Sequence, residues 1–209
     1  MNPLQLSDFA MSTCLSDVTI VIGDEKIPCH KLVLGAASPV LLSMLTSEME
    51  EAAENSIVIE DIEVVTMKAV LNYLYKGEDE DFDGFEMALK ALVVSEKYAM
   101  EKFKALIEEK LIKCLTIDNA TNILDQADTY QAKRLVQKCM EFIVHRRNEI
   151  MIAKVFKELC DKKPGLMMQF IVGIINVTKE LRAQLDKNVH IFTEMSLLLK
   201  LIENEINKR

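Results

Sequence analysis

The sequence predicts an α+β fold, a small sheet flanked by helices, followed by an all-α helical extension, and three observations carry that reading. β-branched residues dominate 17 to 22, DVTIVI, immediately before Gly23-Asp24, a turn signal. A Ser-Pro pair at 38 and 39 divides the next apolar stretch into two helices, because serine caps a helix and proline suits its first position. Near the C-terminus, Leu185, Val189, Phe192, Met195, Leu199, Ile202 and Ile206 recur at three and four residues, the spacing of one helix face.

Taken in order, Asn2 and Pro3 read as a cap and first-turn pair, and Leu6, Phe9 and Thr13 then repeat at three and four residues, so a short amphipathic helix is expected first. DVTIVI forms a strand, and KIPC at 26 to 29 returns as its hairpin partner. HKLVLGAASPVLLSML places Leu32, Val33, Ala36 and Ala37 on one helix, and Ser38 opens a second. SIVIED goes back to a strand pattern. VVTMKAVLNYLYKG spaces Val65, Ala69 and Tyr73 along a helix that Gly77 stops.

Leu15-Ser16-Asp17-Val18, Cys29-His30-Lys31, Val33-Leu34, Ser38-Pro39-Val40, the loop Ser47-Glu48-Met49-Glu50-Glu51, Tyr73-Leu74-Tyr75-Lys76-Gly77 and Ser95-Glu96-Lys97-Tyr98-Ala99 follow one another in a definite register. In these residues the chain resembles the BTB/POZ family, and most closely the speckle-type POZ subgroup of cullin-3 ubiquitin-ligase adaptors. LTIDNATNILDQADTYQAKRLVQKCMEFIVHRRNEI is similar to the three-box or BACK-like helices that follow many such domains. The division expected from the resemblance is 1–14 as an N-terminal dimerisation helix, 15–115 as the BTB/POZ domain, 116–163 as three-box/BACK-like helices and 164–209 as a C-terminal helical pair. Fourteen residues precede the module in this sequence, so the resemblance brings no substrate-reading MATH domain with it. Ala37 stands where the family often has Arg, and Leu41 and Leu45 where it often has Phe.

Half of the 209 residues are apolar and 28% are charged, enough for a packed core. The N-terminus lacks a cationic segment followed by an apolar run, so no secretory signal is read. The longest apolar run, GLMMQFIVGIINV at 165–177, falls short of the roughly 20 residues a membrane span needs. Five cysteines, widely spaced at 14, 29, 114, 139 and 160, speak against a disulfide framework or a zinc site. A reducing compartment, cytoplasmic or nuclear, is expected.

Charge is uneven. Glu48 to Glu86 holds 13 acidic residues against Lys68 and Lys76, which implies an acidic face. Gln131 to Lys163 holds nine Lys or Arg against four Asp or Glu, but interleaved with apolar helix positions in a chain of net charge −8. That pattern is a solvated helix face rather than a clustered phosphate footprint, and no nucleic acid partner is expected.

Enzymatic chemistry finds no support. His30, His145 and His190 are isolated, and HExxH, GxSxG, GxxxxGK and CxxC motifs are all missing. Cys29-His30 are neighbours whose side chains diverge, which favours a packed histidine at a helix start over a thiol-base dyad. Glu50-Glu51 lie in a Glu-rich segment with no apolar pocket implied, and read as an exposed contact loop. No cofactor or metal is expected.

Recognition of other proteins remains, and the resemblance implies two surfaces. Homodimerisation is carried over to Leu6, Phe9 and Val33, with Asp17 and Lys31 at the place of a structural charged pair; folding of the N-terminal stripe onto its own domain is the alternative. Cullin-3 binding is carried over to Met49 and Glu51, a hydrophobic residue followed two places later by Glu, and to Tyr98 at the opening of the helix AMEKFKALIEEKL. Methionine adapts to an irregular apolar pocket while a carboxylate fixes register through a charge-assisted hydrogen bond. The expected function is therefore a homodimeric adaptor linking an unknown substrate protein to cullin-3; the alternative is a self-association scaffold without ligase coupling. For the C-terminal stripe, packing on GLMMQFIVGIINV across a break at Lys162-Lys163-Pro164-Gly165 is weighed against a partner-binding or self-association helix.

Overall fold

A computed structural model of the chain describes residues 5–47, 50–146, 158–159 and 161–206, the side chains at 50, 190–194 and 196–206 excepted. The order is a 3-10 helix Leu6–Phe9, β1 Val18–Ile22, β2 Glu25–Cys29, α1 Lys31–Ala37, α2 Pro39–Thr46, α3 Glu50–Glu54, β3 Ser56–Val58, α4 Val64–Lys76, a 3-10 turn Glu80–Phe82, α5 Phe85–Lys97, α6 Glu101–Lys113, α7 Ala120–Thr129, α8 Lys133–His145 and α9 Pro164–Ile206. The chain divides into two compact units, Met1–Cys139 and Met140–Arg209. The first takes in α7 and the start of α8.

The sheet has the order β2-β1-β3. β1 and β2 pair antiparallel with Ile22 opposite Glu25, leaving a two-residue loop in which Gly23 takes φ +58. Primed hairpin turns demand such a left-handed residue, and glycine adopts it without a Cβ clash. β3 runs parallel to β1, with Ile57 beside Ile20. Val18, Ile20, Ile22, Ile27, Cys29 and Ile57 point to one face and are buried, the period-2 pattern of a half-covered sheet.

The helices are delimited by local chemistry. Ser38 ends α1 and caps α2, its Oγ accepting the Leu41 N–H at 3.0 Å, with Pro39 at the first position. Gly77 ends α4 at φ 75, and its N–H donates to the Tyr73 carbonyl at 2.8 Å. Between α4, α5 and α6 the core closes around Leu71, Phe82, Leu92, Phe103 and Ile107, all at most 2% exposed, with Phe103 lying 4.8 Å from the Tyr73 ring and 5.2 Å from the Phe82 ring. Leu41 and Leu45, the positions where Phe was frequent, are buried as leucines.

Four expectations need correction. Among the described residues the N-terminal helix is a single 3-10 turn, Leu6–Phe9, because Ala10 turns extended at ψ 117 and Met11 then enters the left-handed region at φ 53; the Asn2-Pro3 start lies outside the described residues. The acidic loop is partly a helix, α3, as the strong helix-forming tendency of Glu and Ala allows. Tyr98 does not open a helix but closes α5, and α6 starts at Glu101. The C-terminal pair is one continuous helix of 43 residues, so the stripe at 185–206 cannot fold back on 165–177; no glycine or proline interrupts the chain after Gly173. Within this second unit, Met140, Ile143, Val144, Leu159, Leu166 and Phe170 are buried, and a Cβ on Gly173 would come 3.0 Å from Val144 Cγ2, so glycine permits the close approach of α8 and α9.

Candidate protein-interaction site

The first surface is organised by His30. Its backbone is extended just before α1, leaving the first N–H groups of that helix to be satisfied from elsewhere. The Lys31 N–H donates to Asp17 Oδ1 at 2.7 Å, and the His30 N–H donates to Tyr75 Oη at 3.0 Å. His30 Nδ1 lies 2.8 Å from the same Tyr75 oxygen and Nε2 lies 2.9 Å from the Cys14 carbonyl. Phe9 presents its ring edge-on to the imidazole at 5.8 Å. The imidazole therefore ties the N-terminal segment to α4. Histidine here is a structural connector, as its place at a helix start suggested. Burial pushes the Cys29 thiol up to about 12, which deprives the adjacent cysteine of nucleophilic character.

Asp17 and Lys31 are joined differently from the charged pair expected. The Asp17 carboxylate caps the backbone of α1, while the Lys31 ammonium donates to the Asn55 side-chain carbonyl at the entrance to β3. A carboxylate at a helix N-terminus gains both hydrogen bonds and the favourable end of the helix dipole, which accounts for the choice.

Around this connector the chain leaves large apolar side chains in water. Leu6 is 53%, Leu15 79% and Leu32 83% exposed. Val33 and Phe9 are half-buried. Leu32 was read as an apolar position of the first helix and Leu15 as part of a motif, but neither was assigned to a contact surface, because spacing alone does not tell whether a leucine at the edge of an element is covered.

The second surface takes in α3, which packs between α2 and β3, and the end of α5, which is tied to the start of α2. Met49 is outside the described residues. Glu51 sits half-buried on α3. Tyr98 is 2% exposed, and burial holds its hydroxyl up at about 12. Its carbonyl accepts a 2.5 Å hydrogen bond from Ser38 Oγ, so it anchors the end of α5 to the start of α2. What faces solvent beside it is Lys97, paired with Asp61 at 2.5 Å and standing 5.5 Å over the Tyr98 ring. Lys97 holds the Asp61 carboxyl below its usual range, chiefly through their hydrogen bond. Next to Asp61, a small cleft between the β3–α4 connection and α5 is lined by Ile62, Thr66, Val93 and Val94, with the Lys90–Glu63 ion pair at 2.8 Å. The Asp61–Lys97 and Lys90–Glu63 ion pairs thus border an apolar-lined cleft, a mixture of charged and apolar groups suited to protein contact.

The BTB/POZ domain family matches residues 6–115, more than half of the chain. The chain belongs to the BTB/POZ family. Among relatives, TD and POZ domain-containing protein 2 of Mus musculus is 27% identical over 152 residues, 73% of this chain and 42% of the relative. TD and POZ domain-containing protein 1 of the same species is 25% identical over 164 residues, 78% of this chain and 45% of the relative. The chain therefore spans less than half the length of these relatives. The structure of the BTB domain of human gigaxonin is similar at 25% identity with a TM-score of 0.43, covering 50% of this chain and 82% of that one. The matched BTB/POZ region contains both surfaces described above, from Leu6 to Tyr98, and it belongs to a class of interaction modules.

Proposed function

We propose that this BTB/POZ protein is a homodimeric adaptor that joins a substrate protein to the cullin-3 scaffold of a ubiquitin ligase. The observation that carries the reading is the placement of Glu51 on α3, directly after α2 and before β3, within the matched BTB/POZ region. The resemblance to adaptor members of the family supports it, since the Met49-x-Glu51 pattern matches in sequence the hydrophobic residue and Glu with which they bind the scaffold. Asp61 and Lys97 add an exposed ion pair beside Tyr98, which is buried and serves as a packed support rather than as a contact. Homodimerisation would use the exposed Leu6, Leu15 and Leu32 together with Phe9 and Val33, since leucines this exposed favour an apolar partner.

A second reading, a self-associating scaffold without ligase coupling, is favoured by those same leucines, which need no contribution from Glu51. Calorimetric titration of the chain with the N-terminal domain of cullin-3 separates the two. Submicromolar binding that disappears in the Met49→Ala/Glu51→Ala protein, with its dimer mass unchanged, supports the adaptor. A folded, dimeric wild type that does not bind cullin-3 leaves the scaffold.

A further inference from the structure

Helix α9 runs unbroken from Pro164 to Ile206, about 65 Å at 1.5 Å per residue. Among the described residues its buried side chains lie in the first turns, Leu166 and Phe170, and Gly173 and Ile174 are half-buried. Beyond Phe170, Ile171 is 40%, Leu181 54%, Leu185 62% and Met195 56% exposed. A helix with such a stripe in water lacks the tertiary packing from which most helical stability comes. Among the described residues no helix is long and apolar enough to cross a membrane, and α9 carries Lys179, Glu180, Arg182, Asp186 and Lys187 in the middle of the stripe's length.

The spacing identifies what covers it. From Ile171 to Ile206 the seam advances by three and four residues in strict alternation when Asn188 rather than Val189 is placed on it. Of its positions all but Thr178 and Asn188 are apolar. A period of 3.5 held over five heptads is the seam of a left-handed coiled coil, and it fits another helix rather than a groove on a globular surface. Asn188 decides which helix. In a parallel, in-register pair of identical chains it meets Asn188 of the second copy, and each carboxamide donates to and accepts from the other; Thr178 likewise meets Thr178. An antiparallel pair sets Asn188 against the opposite heptad position, near the middle Leu185 or Phe192, and leaves a polar group unsatisfied in an apolar seam. Flanking positions agree, since the parallel arrangement brings no like charges together: Val177 lies beside Arg182 of the second copy, and Leu198 beside Glu203 of the second copy.

We propose that α9 is a self-association helix, pairing with α9 of a second copy of this chain as a parallel, in-register coiled coil over residues 171–206. This interface is separate from the one assigned to Leu6, Phe9 and Val33 and stands whether or not cullin-3 is bound. Leu181→Cys and Ile202→Cys, each in the full-length chain, test it by oxidation followed by mass-spectrometric identification of the linked residues. Expected are disulfides between copies joining 181 to 181 and 202 to 202, lost when Leu185→Glu and Met195→Glu are added. Ala183→Cys, on the opposite side of the helix, should form no such link. Either position alone suffices should the other variant fail to fold. A combined Leu181→Cys/Ile202→Cys chain that links 181 to 202 would show antiparallel pairing and overturn the proposal. So would the absence of links from both positions in folded protein, as when α9 is covered by an unrelated partner, or linking no greater than that of Ala183→Cys.

Discussion

Tyr75 serves His30 twice: its hydroxyl oxygen receives the His30 backbone N–H at 3.0 Å and lies 2.8 Å from the imidazole Nδ1. One neutral tautomer satisfies the whole set. The proton sits on Nε2 and is donated to the Cys14 carbonyl at 2.9 Å, leaving Nδ1 to accept the Tyr75 hydroxyl proton. A single phenol thus holds the start of α1 and the N-terminal segment to α4.

Tyr75→Phe removes that hydroxyl without changing the ring, and leaves a partly buried N–H and a ring nitrogen unpaired. Such orphaned groups cost about 1–3 kcal/mol. Urea unfolding should show a loss in that range. Protease cleavage near residue 14 should accelerate, because the segment loses its attachment. Unchanged cleavage in a destabilised variant would contradict the connecting role given to His30.

Ser38→Ala should be the more damaging of two small changes at the α1–α2 corner. Ser38 is fully buried, caps α2 through Leu41 and donates to the Tyr98 carbonyl at 2.5 Å. Loss of a cap typically costs about 1 kcal/mol, and an unpaired buried carbonyl adds a comparable amount. Thermal unfolding should therefore report a loss on the order of 2 kcal/mol. Ser43→Ala, on an exposed face of α2, should leave the midpoint nearly unchanged.

Where a single residue type fixes the backbone, the fold could be read directly. Gly23 announced the hairpin, Ser38-Pro39 the start of α2 and Gly77 the end of α4, and each does so by a mechanism confined to a few bonds. The early stop of the N-terminal helix at Phe9 was not legible, because Ala10 turns extended and Met11 then adopts a left-handed conformation that its side chain disfavours, which only the surrounding packing can impose. Asp17 was legible as a polar residue beside Lys31 but not as a cap, since the choice between an ammonium and a backbone N–H depends on where α1 begins in space. Of the second surface, the location of Glu51 between α2 and β3 was legible; the burial of Tyr98 was not, because an aromatic residue at a helix end reads alike whether it packs or protrudes.

The cysteines should separate by reactivity. Cys29 and Cys139 are fully buried, and burial pushes both thiols up to about 12. At pH 8 roughly one such thiol in ten thousand is ionised, and the thiolate is the reacting form. Cys14 is exposed. Iodoacetamide followed over time by mass spectrometry should modify Cys14 first, with Cys29 and Cys139 reacting only once urea unfolds the chain. Equal rates at Cys14 and Cys29 in native protein would be incompatible with the sheet packing described.

Glu108 gives the stability a pH dependence of definite sign. It is 8% exposed on α6, and burial raises its carboxyl above the ordinary value of 4.5, against the opposing pull of Lys104, Arg134 and a hydrogen bond from the Leu135 backbone at the start of α8. The folded chain therefore binds this proton at a higher pH than the unfolded chain does. By linkage, its contribution to the unfolding free energy grows as the pH falls from above the folded value towards 4.5, and diminishes as the pH rises through that window. Asp61, held low by Lys97, acts in the opposite direction, so the comparison must be made against a variant that keeps Asp61. E108Q serves, since the amide oxygen can still accept the Leu135 N–H while the group no longer titrates. At neutral pH E108Q should unfold at a higher urea concentration than the wild type, and the gap should narrow steadily as the pH is lowered towards 4.5. A gap that widens on acidification would mean that Lys104 and Arg134 outweigh burial at this site, and that Glu108 acts as an ion-pair partner of the two cations rather than as a buried acid.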